Sequence, residues 1–385
     1  MVQVLFGLFG LSFLISKSAF TLLYTVVVLF GLFKFEWSIV PRLPVLEKAL
    51  LALFPVAIAL NFFSVGGSGA AFEVLTRWTW PLIYFPFVYL HENKNERILF
   101  FKGLGLSLLI ACLYSFLRFS GEFDFDSSAR VSSFWDILRW AYFLAVAITI
   151  LFSILIKTDF IDAKTWKFVC LLLVMAVASL VLTSSRGAWM GALAGTFCVL
   201  ISQRKSLKYY IGYGVLVFLI LFSNTGIRHR ILSSFDIKRE EGKITSEDGS
   251  NAGRLHMWKV ATDLYQEVPF FGVGFNNSKY TLKDFIEKQG PEYAQKYTKI
   301  EYSFNDQHSS YMTLLLQFGG IYFIFLYGFF LVATYKARRD EIYIPAMICT
   351  YVVYFFYSAI VSFEAVVIFG LISLMILKLR KIPIK

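Results

Sequence analysis

The chain has 385 residues, of which 57% are hydrophobic and 16% are charged. Soluble domains average about 45–50% apolar and about 25% charged residues, so this composition excludes an ordinary soluble domain. The formal net charge of +11 first suggests a nucleic-acid partner, but the positions of the basic residues assign it to membrane orientation instead.

Long uncharged runs predict transmembrane helices. Residues 22–33, 104–117, 141–156 and 168–182 hold no charged residue, and with their flanks they approach the ~20 residues that cross a bilayer as a helix. The first apolar run lacks the basic start of a signal peptide, so we interpret it as a retained span. The pattern predicts an all-α polytopic membrane protein with about twelve transmembrane helices, near residues 2–16, 18–33, 49–65, 75–90, 98–118, 138–156, 166–183, 187–202, 208–224, 309–334, 342–357 and 360–378.

The Lys and Arg residues between these spans fall mainly in alternate connections. With a cytoplasmic N-terminus, every inner connection holds at least three basic residues. The positive-inside rule then predicts that both termini are cytoplasmic, and it explains the net charge without nucleic acid. The inner basic residues are Lys34, Arg42, Lys48, Lys94, Arg97, Lys102, Lys157, Lys164, Lys167, Arg204, Lys205, Lys208, Lys336, Arg338, Arg339, Lys378, Arg380, Lys381 and Lys385, and the outer ones are Lys17, Arg77, Arg118, Arg130, Arg139 and Arg186.

One long connection falls on the outer side in this topology. Residues 225–306 form a predicted loop domain between transmembrane helices 1–9 in residues 1–224 and helices 10–12 in residues 307–385. The loop carries twelve Lys or Arg and twelve Asp or Glu. A connection of this length is expected to contain folded elements or function.

The centre of the loop has a helical pattern. Apolar residues between Leu255 and Val268 recur at spacings of three and four, which predicts an amphipathic helix over residues 251–268 on the outer membrane surface. Ser250 or Asn251 can cap its start. The preceding stretch, 240–250, is polar and is predicted to be flexible.

The first candidate for chemistry is Arg186, at the outer start of the eighth span. A helix N-terminus carries partial positive charge and favours anions. An arginine there is unfavourable unless an anion is present too, so a phosphate ligand explains both features. The alternative is an interfacial arginine that extends to lipid phosphates. Gly187, Gly191 and Gly195, four residues apart, predict the close approach of a neighbouring helix.

Two more candidates lie in or beside the loop. Arg254, on the predicted surface helix, offers a planar guanidinium suited to phosphate oxygens, and its alternative is a solvated residue on the polar face. His308 lies at the outer mouth of the tenth span, and an ordinary pKa near 6.5 lets a histidine act as base or acid at neutral pH. Its alternative is a capping or interfacial role. His256 is the rival base.

Metal and disulfide chemistry are not predicted. Glu122, Asp124 and Asp126 alternate in an outer connection, an arrangement compatible with carboxylate ligands of Mg²⁺ or Mn²⁺ in a metal-dependent glycosyltransferase. The alternation with phenylalanines equally suits a strand-like rim. All four cysteines fall inside hydrophobic runs without a CxxC pair, so neither a disulfide nor a zinc site is predicted. No cofactor-binding glycine motif is present.

Taken in order, these positions resemble the O-antigen ligase and O-antigen polymerase family of bacterial inner-membrane glycosyltransferases. The resemblance covers roughly residues 180–325. It rests on Ser185-Arg186-Gly187, the long loop, Gly253-Arg254 with Trp258, Pro269 with Gly272-Val273-Gly274, and His308 followed by residues 314–320. The family often carries Asn where this chain has Ser309.

The resemblance implies transfer of a glycan from an undecaprenyl diphosphate carrier to an acceptor sugar hydroxyl at the periplasmic face. In the ligase the acceptor is the lipid A core, and in the polymerase it is another glycan. His308 is then the expected catalytic base, and Arg186 and Arg254 are the expected donor-binding residues. An inverting reaction without metal or cofactor is expected, because the arginines hold the leaving diphosphate.

A transporter is the alternative from another class, since twelve helices are common among transporters. Transporters tend to hold polar residues near the bilayer midplane on broken helices. In this sequence the predicted spans are nearly free of charge at mid-depth, and the polar residues collect at the outer side. That distribution favours an enzyme.

Overall fold

The structure, a computed structural model, describes residues 1–122, 130–157, 162–203, 210, 214, 237–240, 243–246, 249–293 and 307–379. Within these residues it is helical apart from one short hairpin, which confirms the predicted helical class with that exception. Two short 3-10 helices also occur, Trp37–Arg42 and Trp80–Ile83. The helices are α1 (Val2–Ile15), α2 (Lys17–Lys34), α3 (Val45–Phe62), α4 (Gly67–Arg77), α5 (Tyr84–Glu92), α6 (Lys94–Glu122), α7 (Ile137–Ile156), α8 (Ala163–Thr183), α9 (Arg186–Ser202), α10 (Gly249–Glu267), α11 (Ser278–Lys288), α12 (Ser310–Lys336), α13 (Tyr343–Phe356) and α14 (Ala365–Leu379), and the strands are β1 (Ile237–Glu240) and β2 (Lys243–Ser246).

Ten of these helices are apolar enough to match predicted spans. Helices α2, α3, α6, α7, α8 and α12 are long and apolar enough to cross a membrane, and α1, α9, α13 and α14 are shorter apolar helices. The chain is therefore a multi-pass membrane protein. The predicted ninth span, 208–224, lies outside the described residues except for residues 210 and 214, so the total of twelve stays a prediction.

The predicted fourth span, 75–90, is wrong as a single helix. The chain forms α4, the 3-10 helix Trp80–Ile83 and then α5. Pro81 lies in the first turn of the 3-10 helix and lacks the amide N–H that would continue the preceding helix. The indole of Trp78, which is fully buried, donates a hydrogen bond of 3.2 Å to the main-chain oxygen of Ile360. That contact fixes the break against the rest of the bundle.

The predicted amphipathic helix of the loop is confirmed as α10, although its start differs. It begins at Gly249, so Ser250 and Asn251, predicted as caps, lie inside its first turn. Strands β1 and β2 pair antiparallel with Glu240 opposite Lys243, and the flexibility of residues 240–250 stays a prediction.

Helix α12 is interrupted about one third of the way from its start. Gly319 has φ 77° and ψ 172°, which is not helical. The segment after α10 fills the interruption: the amide of Val273 donates to the oxygen of Leu316 at 2.8 Å, and the amide of Gly320 donates to the oxygen of Pro269 at 2.8 Å. Main-chain groups freed by the break are thus satisfied by the loop, as a break at membrane depth requires.

The loop has a small core of its own beside the main one. Buried residues of α10 and α11 pack around Val273 and against Leu316 of α12. The larger core joins the apolar helices and continues to Phe275 of the loop. The loop is therefore packed onto the first part of α12, the part that follows His308. The remaining members of the small core are Val260, Ala261, Leu264, Leu282, Phe285 and Ile286.

The helix ends that the topology places on one side do meet in the structure. The start of α7 contacts the start of α14 through Arg139 and Glu364, while at the other end of α7 Lys157 pairs with Glu341 at 3.0 Å. Helix α7 therefore runs the length of the bundle between two separate groups of helix ends. The side of the membrane that each group faces stays a prediction.

Candidate active site

Arg186 begins α9 directly after a tight reversal from α8. Ser184 adopts φ 50°, the left-handed region, and Ser185 is the buried residue that precedes the helix. The reversal is held from one side by the amide of Val131, which donates to the oxygen of Leu182 at 3.0 Å. Arg186 is half-buried at a helix N-terminus, as predicted.

The predicted close approach along the glycines of α9 is confirmed. A Cβ atom on Gly187 would lie 2.6 Å from Cβ of Phe356, and one on Gly195 would lie 2.5 Å from the hydroxyl of Thr149. A Cβ atom on Gly191 would overlap Val353 in the same way. Helix α13 thus packs directly on α9, and its last turn lies against the residue that follows Arg186.

Arg254 lies one turn before Trp258 on α10, so the two share a face. The indole of Trp258 donates a hydrogen bond of 2.7 Å to the oxygen of Gln307, and its ring meets that of Phe355 edge to face at 5.4 Å. This face of α10 is therefore turned toward the residue before His308. His256 lies two positions from Trp258 and so points to another side of α10.

His308 lies between two buried, hydrogen-bonded neighbours. Its φ of 48° is a conformation that residues other than glycine rarely adopt. Before it, Gln307 accepts the bond from Trp258; after it, the amide of Ser309 donates to the hydroxyl of Ser358 at 3.0 Å. Unfavourable backbone conformations persist only where the surroundings impose them. Here the hydrogen bonds of Gln307 and Ser309 hold the chain on both sides of His308.

One short segment contacts all three parts of the chain that carry the candidates. Within residues 355–358, at the end of α13 and just after it, Phe355 contacts Trp258, Phe356 lies against Gly187 and Ser358 accepts a hydrogen bond from Ser309. The structure therefore brings the three predicted positions to one end of the helical bundle. Guanidinium groups bind oxyanions, and a neutral imidazole accepts a proton.

A second polar cluster beside this segment was not singled out from the sequence. Glu364, whose side chain is fully buried, lies 2.5 Å from Nε of Arg139 and accepts a hydrogen bond of 2.8 Å from the phenol of Tyr357. The hydroxyl of Ser362 also donates to Glu364. The sequence feature that could have indicated this cluster is Glu364 itself, an acidic residue within the predicted apolar span 360–378, where ionisable side chains are costly.

The environment of Glu364, in the connection before α14, acts on its ionisation in two opposed ways. Burial raises the pKa of Glu364 above the ordinary value of a carboxyl group, while the charge of Arg139 and the hydrogen bonds from Ser362 and Tyr357 lower it in part. The net direction is upward. The carboxyl group is thus held by three donors in a site without water contact.

The described residues contain no group of three or more His, Cys, Asp or Glu arranged to hold an ion. This does not test the three alternating carboxylates considered in the sequence. The side chains of Glu122, Asp124 and Asp126 lie outside the described part of the chain.

The fold and the shared contacts of the three segments define a multi-pass membrane protein with a candidate site at one set of helix ends. Residues 170–327 match the family model described as O-antigen ligase. The resemblance predicted from the sequence is thus confirmed over these residues. They include all three candidate residues. No curated protein matches the chain. The family match supports a ligase or polymerase-type function on glycans.

Proposed function

We propose that this protein is an O-antigen ligase of the bacterial inner membrane. It transfers a glycan from undecaprenyl diphosphate to a sugar hydroxyl of the lipid A core at the periplasmic face. The observation that carries the proposal is the contact of residues 355–358 with the three segments that hold Arg186, Arg254 and His308, inside the region that matches the family.

In the proposed reaction His308 takes the proton of the acceptor hydroxyl. The acceptor oxygen attacks the anomeric carbon while the bond from that carbon to the diphosphate oxygen breaks. Direct displacement inverts the anomeric centre. The products are the glycosylated core and undecaprenyl diphosphate, and the proton on His308 then passes to solvent.

Arg186 and Arg254 stabilise the leaving group in this mechanism. Negative charge develops on the diphosphate as its bond to the sugar breaks, and donors already in place stabilise that charge more strongly than water does. The N-terminus of α9 adds its partial positive charge at the same point. Because these groups neutralise the diphosphate, the mechanism needs no metal ion.

The first test is transfer by the purified protein from undecaprenyl-diphosphate-linked glycan to lipid A core. We expect His308→Ala to lower kcat by about 10²–10⁴-fold and Arg254→Ala by about 10²–10³-fold. Lys259→Ala is the matched control, since Lys259 lies on the same helix and pairs with Asp263 at the surface. Full activity of His308→Ala with loss in His256→Ala would assign the base to His256 instead.

Metal independence has its own test. Transfer should continue in a chelator, because the arginines replace a cation. Loss of transfer with EDTA and recovery with Mg²⁺ or Mn²⁺ would contradict the mechanism, and alanine at Glu122, Asp124 and Asp126 would then locate the ion.

An O-antigen polymerase is the second candidate, because the family match supports both functions and the chemistry is the same. A deletion strain separates them. Loss of a ligase leaves the lipid A core unsubstituted while carrier-linked chains accumulate. Loss of a polymerase leaves single repeat units on the core. Carrier-dependent transfer without an ion gradient would separately exclude the transporter alternative.

A further inference from the structure

A buried ion pair lies next to the 355–358 segment, in contact with Tyr357. Arg139 of α7 and Glu364 meet at 2.5 Å, and the Glu364 side chain has no exposure to solvent. Removing two charges from water is expensive, and apolar side chains of similar size often hold helices together as well or better. The pair therefore indicates a role beyond holding α7 and α14 together.

The ion pair is connected to the start of α12 through one residue. The phenol of Tyr357 donates to Glu364 at 2.8 Å. The main-chain oxygen of the same Tyr357 accepts two hydrogen bonds from Ser310, from the amide at 3.1 Å and from the hydroxyl at 2.6 Å. Glu364 thus holds the side chain of Tyr357, and the main chain of Tyr357 holds the start of α12.

The position of His308 depends on these contacts. Its backbone is in an unfavourable conformation, and it lies two residues before Ser310. Ser309, between His308 and Ser310, donates its amide hydrogen bond to the hydroxyl of Ser358, the neighbour of Tyr357. A displaced Tyr357 would weaken the hydrogen bonds from Ser309 and Ser310 that hold the chain immediately after His308.

We propose that Glu364, fixed by Arg139, is a positioning residue that orients His308 through Tyr357 and Ser310. The inference rests on the proposed function, because it takes His308 as the base. A misplacement of about 1 Å in a catalytic group can cost about 10²-fold in rate. The carboxylate acts on the rate of the chemical step and not on donor or acceptor binding.

The experiment compares Glu364→Gln, Tyr357→Phe and the double variant in the transfer assay. Glu364→Gln keeps the shape of the side chain but removes the charge that pairs with Arg139, and Tyr357→Phe removes only the phenol. We expect each to lower kcat by about 10²-fold with little change in KM. If the two residues act through one connection, the kcat of the double variant should be no lower than that of the less active single variant.

Glu73→Gln is the matched control. Glu73 also pairs with an arginine, Arg77, at 3.0 Å, but on α4 and at the surface. It should keep wild-type kcat. If Glu364→Gln does not fold, as judged by thermal unfolding of the purified protein, Tyr357→Phe carries the test alone.

His308→Ala in parallel separates the two proposals. Full activity of His308→Ala overturns the proposed base whatever Glu364 does. An inactive His308→Ala together with unchanged kcat in Glu364→Gln or in Tyr357→Phe overturns the positioning role alone. Additive losses in the double variant, or equal losses in Glu73→Gln, overturn it too.

Discussion

The indole nitrogen of Trp258 donates a hydrogen bond of 2.7 Å to the main-chain oxygen of Gln307, the residue before His308. This bond joins the helix that carries Arg254 to the segment that carries the expected base. Gln307 is 1% exposed, so without the indole its oxygen has little access to water. The loop therefore contributes to the site by fixing the chain on the N-terminal side of His308.

Trp258→Phe tests that contribution. The variant keeps an aromatic ring against Phe355 but removes the donor, so we expect a loss of about 1 kcal/mol in the free energy of unfolding and a lower kcat. Thr262→Val, one turn along α10, is a suitable control, because the Thr262 hydroxyl donates to the main-chain oxygen of Trp258 within the same helix. Equal kcat in wild type and Trp258→Phe would show that the bond does not orient His308.

The break in α12 predicts an unequal response of two glycines in one helix. Gly319 has φ 77°, and a Cβ atom there would overlap the main chain of Phe270. We expect Gly319→Ala to lower the free energy of unfolding by about 1–3 kcal/mol or more. Thermal unfolding of the purified protein in detergent measures this change.

Gly328→Ala is the matched control, because no other described part of the chain comes within 4 Å of a Cβ atom at Gly328. Alanine is favoured over glycine in a helix by up to about 1 kcal/mol, so this variant should be neutral or more stable. Equal destabilisation at both positions would contradict the role of the break.

Local patterns in the sequence predicted most single helices, because each buries an apolar run of its own. They did not predict the break at Gly319, since the apolar run from Ser310 to Lys336 continues through it. The hydrogen bonds that replace the helical ones come from Val273 and its neighbours, which are more than forty positions away.

The residues of the candidate site also differ in how far the sequence could predict them. Arg186, Arg254 and His308 were predicted from residue type and place in the topology, and the structure brings their segments together. Arg139 and Glu364 were not paired, because neither has a motif around it and they meet only when the start of α7 lies against the connection before α14. Contacts between distant helices leave no local pattern in one sequence.

The packing of α9 on α13 predicts coupling between Gly191 and Val353. Gly191→Ala would overlap the Val353 side chain, with the oxygen of Cys349 next at 3.0 Å, and we expect a loss of about 1–3 kcal/mol in the free energy of unfolding. Val353→Ala alone should also destabilise, by leaving a cavity. In the double variant the new methyl group enters part of that cavity. The double variant should therefore lose less stability than the two single variants lose together. A strictly additive double variant would contradict direct packing at this point.

Asp340, in the connection between α12 and α13, predicts a pH-dependent part of stability. Its carboxylate accepts hydrogen bonds from the amides of Ile342 and Tyr343 at 3.0 and 3.1 Å and pairs with Lys378. Burial raises the pKa of Asp340, but the hydrogen bonds from Lys378 and the two amides, with the charge of Lys378, outweigh it and lower the pKa overall. A lowered pKa in the folded state stabilises the fold above the unfolded pKa of about 4. That stabilisation is lost as pH falls through the folded value.

Asp340→Asn should therefore be less stable than wild type at neutral pH and nearly equal to it well below pH ~4. Asparagine keeps an oxygen for the two amides and loses only the charge, so we expect a deficit of a few tenths to about 1 kcal/mol. Asp340→Ala, which loses the capping oxygen as well, should cost about 1 kcal/mol more at neutral pH. Thermal unfolding across this pH range measures both differences. A deficit in Asp340→Asn that stays constant down to acid pH would show that the charge of Asp340 does not stabilise the connection.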